Sequence, residues 1–176
     1  DIMDGHYVPN ITFGPNIVRS IRKITTRILD VHLMIQPVNP YIDEFIKAGS
    51  DIISFHPEAD VNPDEIINKI INAKIKAGIA VHPRVKISDI EYLLKKVQQV
   101  IVMTVTPGFG GQRFMHDQIQ KIKDLDDIRK NNNYNYDIAV DGGVNNENAK
   151  ICKENGADVL AIGSFLLSKN HNDYNE

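Results

Sequence analysis

The chain of 176 residues is 42% hydrophobic and 24% charged, with a formal net charge of −3. This is ordinary globular composition, long enough for a sizeable core, and its mildly acidic balance argues against a nucleic-acid or anionic-membrane surface. No apolar run approaches the roughly 20 residues of a membrane span. The single cysteine, Cys152, cannot form an internal disulfide, which points to a reducing, cytoplasmic compartment.

Strand and helix patterns alternate along the chain. Asp1–Asp4 reads as the last residues of a strand, so the chain opens inside an element and residues are expected ahead of it. Gly5–Asn10 is a loop, and Ile17, Val18, Ile21 and Ile24 give a helical pattern after Pro15. Ile28–Ile35 is a strand, Pro37–Pro40 a loop, Tyr41–Lys47 a short helix stopped at Gly49, and Asp51–His56 a strand. Pro63–Ala77 carries Ile66, Ile67, Ile70, Ile71 and Ile75 and reads as an amphipathic helix ending at Gly78. Ile79–His82 is a strand. Ser88–Val97 is a helix, with Ser88 as N-cap and Glu91 completing a capping box.

Val100–Val105 is a β-branched, apolar run that breaks at Pro107-Gly108-Phe109-Gly110-Gly111. Phe114, Ile119, Ile122 and Leu125 then follow at helical spacing. Strand, Gly-rich turn and helix in that order bring backbone N–H groups and a helix N-terminus together, which suits a phosphate. Asn131–Asn135 is a surface loop, and Tyr136–Val140 a strand running into Asp141-Gly142-Gly143. Asn145–Glu154 is a helix closed by Gly156. Asp158–Ile162 is the last strand and leads into Gly163-Ser164. The polar tail from Lys169 reads as flexible. Ala48–Ile53 and Asn155–Leu160 echo one another: helix, Gly stop, small residue, Asp, apolar strand.

Six full strands plus the stub at Asp1, alternating with helices, imply a parallel sheet in one domain over residues 1–176. Continuous apolar strands mean that both sheet faces are buried. This suits a TIM (β/α)₈ barrel without its first strand; an open flavodoxin-like sheet is the alternative and would need fewer strands.

In a barrel the chemistry sits at the C-terminal strand ends. Those positions here hold Asp1 and Met3, His32 and Met34, His56 and Glu58, His82, Met103 and Thr104, Asp141, and Gly163-Ser164. Taken singly, a strand-end Asp is a turn or cap residue, a His in an apolar strand is hydrogen-bonded core, and the methionines are packing. His6, His116 and His171 read as surface or loop residues, and His82 stays open. Asp1, His32 and Asp141 stand out because they share one mouth with three Gly-containing turns: Gly108–Gly111, Gly142-Gly143 and Gly163-Ser164. Two carboxylates and an imidazole can hold a divalent metal, and two carboxylates can exchange protons with opposite faces of a substrate. Ser164–Leu167 suits the short phosphate-binding helix of such barrels. A small phosphorylated molecule, such as a sugar, is the implied substrate.

The sequence resembles the ribulose-phosphate 3-epimerase family over nearly its whole length. The matching stretches are Asp1–Gly14, Leu29–Met34, Phe55–Ala59, Met103–Phe114, Val140–Val144 and Gly163-Ser164. The resemblance implies interconversion of D-ribulose 5-phosphate and D-xylulose 5-phosphate in the pentose phosphate pathway. It implies Asp1 and Asp141 as paired acid/base residues, with Asp1, His32 and Asp141 holding one divalent metal ion (Zn²⁺, Fe²⁺, Mn²⁺ or Co²⁺). Substrate would meet His32, Met3, Met34, Met103, Gly108, Phe109, Gly110, Gly111, Asp141, Gly142, Gly143, Gly163 and Ser164. Family members form homo-oligomers, dimers or hexamers.

Two features depart from the family pattern. A second metal-binding His, expected two residues before Asp1, and the first strand both fall ahead of the chain, so poor stability and weak metal binding are expected of this chain. His82-Pro83-Arg84-Val85 replaces an Asn-Pro-small pattern and receives no role. The rival readings are an epimerase of a related ketohexose 6-phosphate and a non-catalytic barrel that binds a sugar phosphate.

Overall fold

The computed structural model describes residues 1–168; the tail from Lys169, with His171, lies outside them. Strands and helices alternate as β1 (Ile2–Met3), α1 (Pro15–Arg22), β2 (Asp30–Met34), α2 (Ile42–Ala48), β3 (Ile52–Phe55), α3 (Pro63–Asn72) and β4 (Lys76–Val81). They continue as α4 (Ile87–Leu94), β5 (Gln99–Met103), α5 (Ile119–Asn132), β6 (Asp137–Asp141), α6 (Asn146–Glu154), β7 (Val159–Ala161) and α7 (Ser164–Leu167). The strands form one sheet in sequential order, with every neighbouring pair parallel.

Five strand spacings separate β1 from β6, about 24 Å in a flat sheet. Yet ligand atoms of Asp1, His32 and Asp141 lie within 4.8 Å of one another. The sheet therefore curls round on itself as a TIM-barrel-like fold and is not an open flavodoxin-like sheet. β1 and β7 are its two edges.

From β2 to β6 both sheet faces are largely buried, as expected, whereas the edge strand β7 is largely exposed; the two buried faces differ. Val31, Leu33, Ile53, Phe55, Ile79, Val81, Val100, Val102, Ile138 and Val140 belong to one large cluster with helix residues such as Phe45, Ile66, Ile70, Leu93 and Ile122. Alternate positions point to the inside of the curl, since strand side chains have period two. Ala80, Ile101, Met103 and Ala139 make a small second cluster there. Of the other inward residues Met34 and Ile52 are apolar, and several are polar. Gln99 Nε2 donates to Asp30 Oδ2 at 2.8 Å and to Ser54 Oγ at 3.2 Å, one layer below His32 and His56. Gly78 belongs to this layer: a Cβ there would sit 2.1 Å from Ser54 Oγ.

Several boundaries differ from the sequence expectation. The helix expected over Pro63–Ala77 ends at Asn72, because Lys74 takes a left-handed turn (φ 64°) and Lys76 already pairs with Ile52. Gly78 therefore lies inside β4 and does not stop α3. α4 begins at Ile87, and its start is bracketed by Asp89, whose carboxylate accepts from Lys86 N at 3.3 Å. Ser88 sits in the first turn, so the Ser88–Glu91 box does not form. Asn131 and Asn132 belong to α5, and the loop starts at the left-handed Asn133. Ile24 lies beyond α1 and is 85% exposed.

Candidate active site

The curl brings the C-terminal strand ends to one mouth. Met3 comes from β1 and Asp1 directly precedes it, Met34 comes from β2, Met103 from β5 and Asp141 from β6, and all five border one pocket. The opposite side of that pocket is Gly108, Phe109, Gly110, Gly111, Gly142, Gly143, Gly163 and Ser164. Of the expected site residues, only His32 does not border it. His32 is 5% exposed and stands behind the carboxylates, with Nδ1 3.4 Å from Asp1 Oδ1 and 3.7 Å from Asp141 Oδ2.

That His32 Nδ1 is buried and without a hydrogen-bond partner. A lone pair or N–H left so in a folded interior costs about 1–3 kcal/mol, a cost that a bound cation would relieve. Two carboxylate oxygens and one imidazole nitrogen, clustered within 4.8 Å, fit a divalent cation of intermediate softness.

The Gly-rich turn is tied at both ends. Gln112 Nε2 donates to Thr106 O at 2.6 Å and Phe109 O at 2.7 Å, and Asn10 Nδ2 donates to Gly108 O at 2.7 Å. Thr104 links the turns after β5 and β6, its hydroxyl donating to Gly142 O at 2.6 Å. One expectation fails here: α5 starts only at Ile119, after a 3₁₀ turn over His116–Gln118. Its N-terminus therefore does not follow directly on Gly108–Gly111. The short helix over Ser164–Leu167 does form, right after Gly163. No Lys or Arg is among the described residues bordering the pocket, so an anion there depends on backbone N–H groups.

A second polar group lies deeper. His56 is fully buried, and burial pushes its imidazole down to about 4, with Glu58 opposing. Glu58 is pushed up by burial but pulled further down by His56 and Tyr7, and is held below the usual carboxylate range. His82 is also lowered, by burial and by Arg84; its Nδ1 accepts from Arg84 N at 3.1 Å, which gives this undecided residue a structural role. His6 and His116 are exposed, as expected. Gln112, Asn10 and the His56–Glu58 pair were not assigned from sequence; only the position of His56 and Glu58 just past a strand end marked them.

A model of the ribulose-phosphate 3 epimerase family matches residues 1–167. This chain belongs to that family. The ribulose-phosphate 3-epimerase of Bacillus subtilis is 44% identical over 170 residues, covering 96% of this chain and 78% of the relative. That of Methanocaldococcus jannaschii is 41% identical over 169 residues, covering 96% of this chain and 71% of the relative. The chain is also similar in fold to a tryptophan synthase α-subunit of Pyrococcus furiosus, with TM-score 0.66 at 16% identity. It covers 63% of that chain, and the likeness speaks for the fold alone. The family is one of epimerases, a class of isomerase. Among the described residues no helix is long and apolar enough to cross a membrane.

Proposed function

We propose that the chain interconverts D-ribulose 5-phosphate and D-xylulose 5-phosphate by proton transfer at C3 between two carboxylates. The observation that carries this reading is the convergence of Asp1, His32 and Asp141 at the mouth of a pocket whose far side is made of Gly turns. Inverting a carbon beside a ketone requires a proton to leave one face and return to the other. A single base returns it to the face it left, so two carboxylates are needed. Asp1 and Asp141 come from strands that meet across the curl; one takes the C3 proton and the other delivers one, through a 2,3-enediolate.

The Gly108–Gly111, Gly142-Gly143 and Gly163-Ser164 turns would hold the phosphate by backbone N–H groups and so fix C3 between the carboxylates. Met3, Met34 and Met103 would form a soft wall that neither titrates nor competes for the proton. Asp1, His32 and Asp141 would hold one divalent ion, Zn²⁺, Fe²⁺, Mn²⁺ or Co²⁺, which when bound supplies positive charge to the developing enediolate. The reading places the protein in the cytoplasm and the pentose phosphate pathway, as a homo-oligomer.

The test is NMR of D-ribulose 5-phosphate with the protein in D₂O, with and without added Mn²⁺ or Zn²⁺. Deuterium entering at C3 together with xylulose 5-phosphate is expected, and a chelator should suppress both. Absence of exchange at C3 under all conditions would refute the reading.

A further inference from the structure

Behind the carboxylates a polar chain runs away from the pocket. His32 Nε2 lies 3.0 Å from His56 Nε2. His56 Nδ1 lies 3.5 Å from Glu58 Oε1, and the Tyr7 hydroxyl donates to that same oxygen at 2.8 Å. The rings of Tyr7, His56 and His32 follow one another at centroid separations of 4.8 and 5.1 Å. Neither His56 nor Glu58 borders the pocket, and the proton-transfer chemistry gives them nothing to do.

Two neutral imidazoles that meet Nε2 to Nε2 share one proton, so one ring donates and the other accepts. Suppose His56 donates. Its bare Nδ1 lone pair then faces the Glu58 carboxylate, negative against negative at a buried position. His32 would carry its own proton on Nδ1, in the space between Asp1 and Asp141, where a cation would have to sit. Suppose instead that His32 donates. The His56 Nδ1–H dipole then points at Glu58, which is favourable at 3.5 Å even though that distance is at the outer edge of hydrogen bonding. The His32 Nδ1 lone pair then faces the two carboxylates at 3.4 and 3.7 Å, the same opposition of negative groups, and a cation seated between them turns it into attraction. Both buried Nδ1 atoms lack a hydrogen-bond partner, and this arrangement accounts for both: one is oriented by a carboxylate, the other is kept for a cation.

We propose that Glu58, acting through His56, is a positioning residue that fixes the tautomer of His32 with its proton on Nε2 and its Nδ1 free to bind a metal ion. The proposal rests on the metal reading above, and the tautomers are read with the metal bound. Partners of this kind behind a metal-binding His change metal affinity by about 10–100-fold.

The experiment is long-range ¹H–¹⁵N NMR of the full chain with labelled histidine, loaded with Zn²⁺ at pH 8.5. The expected result is a His56 ring protonated at Nδ1 and bare at Nε2; the reverse tautomer would overturn the proposal, and this spectrum needs no variant. Glu58→Leu removes the acceptor, whereas Glu58→Gln keeps one. Zn²⁺ affinity, read by competition with a chelating dye, should fall about tenfold or more in the Leu variant and stay within about threefold in the Gln variant. A Leu variant with parental Zn²⁺ affinity and unchanged ring tautomers would also overturn it. A parent chain that holds no Zn²⁺ would sink the metal reading and the proposal with it, whereas a parent that binds Zn²⁺ with the reverse His56 tautomer would sink the proposal alone.

Discussion

Replacing the pocket glycines one at a time with alanine should give a graded series, because they are glycine for different reasons. At Gly143 the backbone is left-handed (φ 64°), and a Cβ would lie 2.7 Å from Phe114 N, 2.8 Å from Gln112 O and 3.0 Å from Phe114 Cα. These are backbone atoms that cannot swing away. The left-handed conformation costs about 1 kcal/mol for a residue with a Cβ, and forcing the neighbouring loop outward costs about 1–3 kcal/mol more. Gly143→Ala should therefore lose about 2–4 kcal/mol, or about 1–2 M in urea midpoint at a slope near 2 kcal/mol/M. At Gly111 the backbone is also left-handed (φ 73°), but nothing lies within 4 Å of the added carbon. That leaves the conformational cost alone, about 1 kcal/mol. At Gly110 no neighbour is within 4 Å and the φ is not positive, so Gly110→Ala should melt within about 0.5 kcal/mol of the parent. Its methyl group still narrows the pocket, so KM for the sugar phosphate should rise with kcat little changed, the sign of lost uniform binding. Equal destabilisation at Gly143 and Gly111, or a loss above about 1 kcal/mol at Gly110, would refute this account of the turns.

Three further outcomes follow from particular contacts. Asp141→Asn keeps size and shape but removes one of the two bases, so deuterium exchange at C3 should fall by about 10²-fold or more; activity within tenfold of the parent would remove Asp141 from that role. Gly78→Ala should lose about 1–3 kcal/mol, since its Cβ would meet Ser54 Oγ at 2.1 Å and Ser54 Cβ at 3.0 Å, and Ser54→Gly in the same chain should restore much of it, giving a strong coupling in a double-mutant cycle by urea melts. The Asp51 carboxyl is held below its usual range, first by the Leu29 backbone N–H and also by Arg22, against a raising effect of burial. With its folded pKa depressed, the stabilisation is complete above the unfolded value of about 3.9 and is lost as pH falls through the folded one. The urea-midpoint gap between the parent and Asp51→Asn should thus be full at pH 6 and shrink on acidification below about pH 4; a gap that stays constant to pH 2.5 would count against the assignment.

The strands and their order could be read because most are buried, β-branched runs between turn residues, and the residues at their ends follow from the barrel rule. The depth of those residues could not. Asp1 and His32 are both strand-end polar groups in the sequence, yet one is half exposed and the other sits behind it, because the sheet climbs from strand to strand. His32 pairs with Ser54, so His56 stands two residues higher on the same face of the next strand. That offset brings the two imidazoles together, and no spacing within either strand reveals it. The end of α3 was hidden for another reason. Ile75 continues the helical apolar pattern, but Lys74 breaks the backbone into a left-handed turn, a position where no Gly or Asn gave warning.

The echo between Ala48–Ile53 and Asn155–Leu160 shows how a visible pattern can conceal its own cause. Asp51 Oδ2 accepts from Leu29 N at 2.8 Å and from Arg22 Nη1 at 2.7 Å, while Arg22 also donates to Gly49 O at 3.3 Å. Asp158 Oδ2 accepts from Ile138 N at 2.8 Å and from Arg129, which also donates to Gly156 O at 3.0 Å. In both places an Arg at the end of one helix, or within its last turns, reaches across to the Gly and Asp that start a later strand. The carboxylate then holds a backbone N–H at the start of the strand before it. The backbone takes a positive φ at both glycines (95° and 107°), and space is short as well: a Cβ on Gly49 would lie 2.7 Å from Arg22 Cδ, and one on Gly156 2.5 Å from Asp126 Cγ. The arginines lie 29 residues before their carboxylates in both copies, a distance set by the βα unit itself. These brackets sit at the N-terminal ends of β3 and β7, opposite the pocket, so the fold is fastened at the end of the curl that carries no chemistry. The mouth is left to glycines, carboxylates and a free imidazole nitrogen, groups that contribute little to stability until a ligand joins them.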